Sequence, residues 1–140
     1  MAIIMIQKAT QELVDRIVDS LTSTDKESGG ILGSSNGKVI DTFWFDEGTT
    51  CTAREYNPSI ELWEQQLRIW NDNQIEFCGI IHSHFEQETI STKDIYMARR
   101  ILDMNSMRSL FMPILYMRTR NIIWYEVGVN TLNRVNIEIL

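Results

Sequence analysis

Both histidines of the chain, His82 and His84, stand in one His-Ser-His unit. Two residues apart on an extended strand, they project from the same face, and two imidazoles on one rigid edge form a bidentate seat for a metal. Asp94 follows ten residues after His84, in the segment Ser91-Thr-Lys-Asp94. A loop of that length can turn back and bring the first turn of a helix over the strand end. Two imidazoles and a carboxylate leave a fourth tetrahedral position for water, the arrangement of a catalytic zinc site and not of a closed structural one. Hydrolysis at such a centre also needs a group that takes a proton and returns it to the leaving group. Glu27, just before the run Ser28-Gly-Gly-Ile-Leu-Gly33, is the candidate, because glycines let the backbone pass close to the site. Nothing local in the sequence fixes Glu27 beside His82.

Plainer readings stand next to these. Ser-x-x-Asp is also the pattern of a helix capping box, worth about 1 kcal/mol without any chemistry, and one serine can serve both ends. Glu27 sits in an Asp-Lys-Glu run that would suit a solvated surface. Glu86 and Glu88, in the loop after the histidines, are expected to face solvent. Cys51 and Cys78 could pair, but Cys78 lies in the apolar run Phe-Cys-Gly-Ile-Ile and is expected to be a buried, inert thiol. The four tryptophans, Trp44, Trp63, Trp70 and Trp124, fit core or rim positions, and Trp63 and Trp70 are spaced for one helix face.

The elements that must position these residues follow from periodicity. An edge strand is expected near Ile3–Ile6. A helix carrying Leu13, Ile17, Val18 and Leu21 comes next, capped by Thr10. A short strand, Gly30–Ser34, leads into a hairpin turn at Ser-Ser-Asn-Gly37 and a strand over Val39–Phe45. The polar stretch Asp46–Asn57 runs to Pro58 and a second helix ending near Trp70, apolar enough to be covered on more than one side. Ile75–His82 reads as a strand apolar on both faces, hence central in a sheet. A third helix starts at Ser91 and buries Ile95, Ala98, Ile101 and Leu102. Strands over Leu110–Met117, Ile122–Gly128 and Val135–Ile139 close the chain. Strands and helices do not alternate strictly, so a mixed sheet flanked by about three helices is predicted, of the α/β (α+β) class.

The totals limit what such a domain does. The 140 residues suit one domain, 1–140, with 44% hydrophobic and 23% charged residues. A formal net charge of −6 makes nucleic acid a poor partner. The arginines Arg99, Arg100, Arg108, Arg118 and Arg120 are the one candidate basic patch, and such charges usually sit on solvated faces. No signal segment or apolar span is legible, so a cytoplasmic, membrane-free protein is expected.

Glu27-Ser-Gly-Gly-Ile-Leu-Gly, followed by Gly79, His82-Ser-His84 and Ser91-x-x-Asp94, resembles the signature of the JAMM, or MPN-plus (Mov34/JAB), metalloproteases. The likeness spans about Glu27 to Tyr125. It implies a mostly antiparallel, cytidine-deaminase-like JAB/MPN architecture, with zinc held by His82, His84 and Asp94. It further implies that Glu27 acts on the bound water and Ser91 stabilises the tetrahedral intermediate. The family usually has proline after the second histidine, where this chain has Phe85, and Ser91 follows His84 one residue sooner than in the commonest form. The implied function is cleavage of a peptide or isopeptide bond, at the tail of a ubiquitin-like or sulfur-carrier protein. Part of the substrate groove would come from Asp46–Tyr56. The alternative is a catalytically silent MPN-type module that binds a ubiquitin-like partner; such versions have lost ligands, whereas this chain keeps the whole set.

Overall fold

The computed structural model describes residues 7–47, 51–53 and 55–140, so the strand expected near Ile3–Ile6 lies outside the described residues. The main sheet is built around β5 (Glu76–His84), and its apolar run puts it in the middle as expected. To one side lie β2 (Gly29–Ser34) and then β4 (Thr42–Asp46); to the other lie β6 (Ser109–Phe111), β9 (Tyr125–Gly128) and β10 (Leu132–Arg134). Within it β2 runs antiparallel to both neighbours, whereas β5 is parallel to β6. The histidine end of β5 pairs instead with β7 (Ile114–Tyr116), also in parallel, and β7 pairs antiparallel with β8 (Asn121–Ile123).

Several expected strands are divided. Leu110–Met117 splits into β6 and β7 around Pro113, which has no amide hydrogen to give a ladder. Ile122–Gly128 splits at Trp124 into β8 and β9. Val39–Phe45 splits at Asp41, whose carboxylate accepts the Ser35 amide (3.0 Å) while its own amide donates to Gly33 (3.1 Å). These bonds close the turn in which Gly37 adopts φ +73°. The detached piece, β3 (Val39–Ile40), joins β1 (Lys8–Ala9) and β11 (Glu138–Ile139) in a small parallel sheet. The strand expected over Val135–Ile139 is thereby reduced to β11.

Among the described residues three helices cover the main sheet. Thr10 caps α1 (Gln11–Ser20) by accepting the Leu13 amide, as expected. Leu13, Ile17 and Leu21 pack on one sheet face with Leu32, Phe43 and Ile81. The other face packs Ile31 and Ile80 against Trp63 and Trp70 of α2 (Ile60–Asp72) and Ala98 and Leu102 of α3 (Thr92–Met104). Neighbouring residues, Ile31 with Leu32 and Ile80 with Ile81, thus enter opposite cores, as alternation along a strand requires. The sheet offers α2 one face only, and Ile60, Leu62 and Ile69 remain 47–51% exposed, so the expectation of cover on more than one side is not met in this chain. The last turn of α1 contains no basic residue, and Arg120 reaches back to the carbonyls of Val18 and Leu21. That contact satisfies acceptors a helix end would otherwise leave open. Among the described residues no helix is long and apolar enough to cross a membrane. The class is the predicted one, a mixed α/β fold with a mostly antiparallel sheet and, among the described residues, three helices.

Candidate metal centre

Strand β5 runs to His84, two residues beyond the expected end, because β7 continues the ladder opposite His82, Ser83 and His84. Both imidazoles therefore leave one face of one strand, and their Nε2 atoms lie 3.0 Å apart. The face is the one shared with Ile80, towards α3. There Ser91 caps the helix by accepting the Asp94 amide (3.1 Å), and the Asp94 carboxylate accepts the Ser91 amide in return (3.0 Å). This capping box aims the rest of the Asp94 carboxylate at the histidines, Oδ1 to His82 Nε2 at 3.1 Å and Oδ2 to His84 Nε2 at 3.0 Å. His82, His84 and Asp94 are all buried.

Glu27 reaches the same place through sheet register. Gly29 stands opposite His82 in the antiparallel β2–β5 pair, which carries Glu27 alongside His84. The approach depends on glycine: a Cβ on Gly29 would lie 2.2 Å from the Ile81 carbonyl oxygen, and one on Gly30 would lie 2.1 Å from that of Trp44. Two bonds extend the pairing, from the Ser28 amide to Ser83 Oγ (3.0 Å) and from the Ser83 amide to the Ser28 carbonyl (2.8 Å). A third, from the Glu27 amide to Thr52 (2.7 Å), ties the residue to the loop above. One ligand atom from each of Glu27, His82 and His84 falls within a 4.8 Å cluster. All five residues singled out in the sequence are thus brought to one site, with Ser91 at its lip.

The donor set fits a cation. His84 Nδ1 lies 3.2 Å from the Gln87 carbonyl, which can only accept, so Nδ1 carries a hydrogen and Nε2 is the atom that takes either a metal ion or the proton that bonds Asp94. Two buried Nε2 atoms and a carboxylate converging within about hydrogen-bond distance are electron-pair donors, satisfied together only by protons or by a metal ion. Electrostatics separates the carboxyl groups. Burial pushes Glu27 up to about 7, assisted by Asp94 and Glu55 and opposed by His84. Burial would also raise Asp94, but His82, His84 and the Ser91 amide outweigh it and hold Asp94 well below the usual carboxylate range. His84 is raised, since its hydrogen bond to Asp94 and the nearby negative charges outweigh the desolvation that opposes protonation.

Two cavities meet at Ser91. One of about 770 Å³ is lined by Glu27, His84, Ala53, Phe85 and Gln87; the other, about 380 Å³, runs between the 55–60 segment and α3 past Asp94, Met97 and Ile101. Residues of the Asp46–Tyr56 stretch contribute unevenly. Ala53, Glu55 and Tyr56 line cavities, residues 48–50 and 54 lie outside the described residues, and Asp46 is wholly buried beneath the loop instead of lining a groove. Tyr56, in the sequence only the end of that stretch, stacks its ring on His82; no local pattern marks a contact between a loop residue and a strand so far along the chain.

Away from the site the plainer expectations hold. Glu86 and Glu88 are exposed, and Trp63 and Trp70 are core. The Cys51 and Cys78 thiols are free, and burial pushes the Cys78 thiol far above its ordinary range. Three of the five arginines have partners within the fold: Arg118 pairs with Glu86, Arg99 donates to the Gly128 carbonyl, and Arg120 holds the end of α1.

No known family's sequence profile matches the chain, and no curated protein matches its sequence. Its fold is nonetheless shared with solved structures. A protein of Desulfitobacterium hafniense known from its solution structure superposes with a TM-score of 0.76 at 13% identity, covering 97% of this chain and 93% of that one. A JAB1/MPN domain protein of Archaeoglobus fulgidus gives 0.56 at 16% identity, over 95% of this chain and 98% of its own. A structure described as JAMM, a metalloprotease-like zinc site in the proteasome and signalosome, gives 0.58 at 15% identity, over 97% and 99%. At these identities the shared property is the JAB1/MPN fold.

Proposed function

We propose that the chain is a JAMM-type, zinc-dependent metalloprotease or isopeptidase that cuts a peptide or isopeptide bond at the tail of a ubiquitin-like or sulfur-carrier protein. The observation that carries this is the buried convergence of His82, His84 and Asp94 beside Glu27, the set and order implied by the sequence signature, on a JAB1/MPN fold. His82, His84 and Asp94 would hold the zinc, which when bound supplies a Lewis acid and makes water acidic enough to be used near neutral pH. Glu27, buried with a carboxylate oxygen within 4.8 Å of the histidine nitrogens, takes a proton from the attacking water and delivers it to the departing amine. Ser91 Oγ accepts the Asp94 amide, and its own hydrogen is left to donate to the oxygen that gains charge on the scissile carbonyl.

The two cavities on either side of Ser91 give an extended chain room to lie across the site. Among the described residues β4 is an edge of the main sheet, and at its site end a tail could add as a further strand. The test is cleavage of ubiquitin-like proteins bearing C-terminal extensions, with wild type and Glu27→Gln both loaded with zinc. Cleavage by the wild type, reduced about 10²- to 10⁴-fold in Glu27→Gln, supports the proposal. Zinc-loaded wild type that retains such a protein but never cuts it would instead be a silent binding module.

A further inference from the structure

A metal-binding imidazole is normally held in orientation by a hydrogen bond from its other ring nitrogen. His84 has one, through Gln87. His82 does not: its Nδ1 is buried with no hydrogen-bond partner among the described residues. Its ring nevertheless sits in a fixed plane, stacked against Tyr56 with centroids 5.6 Å apart and planes inclined by 13°.

Tyr56 is itself anchored. Its hydroxyl donates to Asp46 Oδ2 at 3.0 Å, and the same carboxylate accepts the Trp63 indole (3.0 Å), the Ser59 amide (2.9 Å) and the Ser59 hydroxyl (2.8 Å). Asp46 ends β4, Ser59 is the N-cap of α2 and Trp63 lies in its first turn. A buried carboxylate at a helix N-terminus, meeting this many donors, is a stiff junction. Burial and the neighbouring Asp46 raise the Tyr56 hydroxyl well above its ordinary range, so it remains a donor. We infer that Tyr56, clamped by Asp46, is a positioning residue that sets the plane of the His82 imidazole and so tunes metal affinity at the site. This rests on the metal-centre reading of the previous subsection.

The comparison that tests it uses Tyr56→Leu, Tyr56→Phe and Ser59→Ala. All three weaken the Asp46 junction, but Ser59→Ala leaves the tyrosine and its stack in place. Zinc affinity is read by competition with a chromophoric chelator, and ligand geometry by the visible spectrum of the cobalt-substituted protein; thermal unfolding of the metal-free forms reports stability separately. The expectation is a loss of zinc affinity of about 10- to 100-fold in Tyr56→Leu, as for other groups that orient a metal ligand, with an altered cobalt spectrum. Tyr56→Phe, which keeps a ring without its anchor, should lose a smaller factor. Ser59→Ala should match the wild type in both readouts while melting lower. Equal affinity and spectra in the Tyr56 variants and Ser59→Ala would overturn the inference and leave Tyr56 a purely structural residue. Should Tyr56→Leu fail to fold, Tyr56→Phe against Ser59→Ala decides by the same criterion. Wild type that takes up no metal would remove the metal centre itself, a different failure from a metal-binding wild type that tolerates every Tyr56 change.

Discussion

Glu27 and Asp94 are carboxyl groups within one small site, yet their surroundings displace them in opposite directions. Asp94 is surrounded by donors, whereas Glu27 is buried beside another acid. For Glu27 the consequence for stability has a definite sign. An acid whose folded pKa is about 7, against 4.5 in the unfolded chain, contributes fully below pH 4.5 and loses that contribution as pH rises through 7. Relative to Glu27→Gln, metal-free wild type should therefore lose about 1–2 kcal/mol between pH 4.5 and 7, once solvent screening at the open side of the site is allowed for. Urea unfolding across that range checks it, and parallel profiles for the two proteins would contradict it. The chemistry of this scale was legible in the sequence to the extent that it was local. A His-x-His pair must share a strand face, and Ser-x-x-Asp must start a helix. That Glu27 joins them was not local, and only the family signature supplied it; the structure places it there through the pairing of Gly29 with His82.

At the scale of elements, the site is the meeting of a strand end, a glycine strand and a helix start, and each junction can be stressed separately. A methyl group on Gly29 has backbone to displace and no flexible side chain, so Gly29→Ala should part β2 from β5. It should cost about 1–3 kcal/mol in unfolding experiments and weaken metal binding as Glu27 and His82 move apart. Ser91→Ala tests the helix start. Loss of the cap should cost about 1 kcal/mol, and loss of a donor to the reacting carbonyl should lower kcat about 10²-fold with little change in KM. Ser91→Thr, which keeps a hydroxyl, should recover most of both; a kcat untouched in Ser91→Ala would reduce the serine to a cap. Strand boundaries were the least legible feature. Asp41 and Pro113 each interrupt a run that alternation alone would continue, because a side-chain bond to the preceding turn and a missing amide redirect the backbone without changing the apolar pattern, and at Trp124 the carbonyl turns to accept the Val135 amide. Residues 46–57 were read as a polar, substrate-facing stretch. The fully buried Asp46 shows that such a stretch can supply a core carboxylate when α2 and the loop provide its donors.

For the whole molecule, three layers leave the ends of β2, β5 and α3 open on one side, and there the buried charges gather without crossing either apolar core. A site of buried donors gains from a cation in the folded state only, so zinc at one hundred times its dissociation constant should add about 2.7 kcal/mol of stability. A chelator should then lower the melting temperature by several degrees. The most direct test of the central claim is zinc content per chain, measured on protein purified without added metal and again after incubation with zinc, for wild type beside Asp94→Ala. One zinc per wild-type chain is expected, and far less in Asp94→Ala. A wild type that neither carries zinc nor takes it up, or an Asp94→Ala variant that holds it as tightly, would contradict a zinc centre at His82, His84 and Asp94.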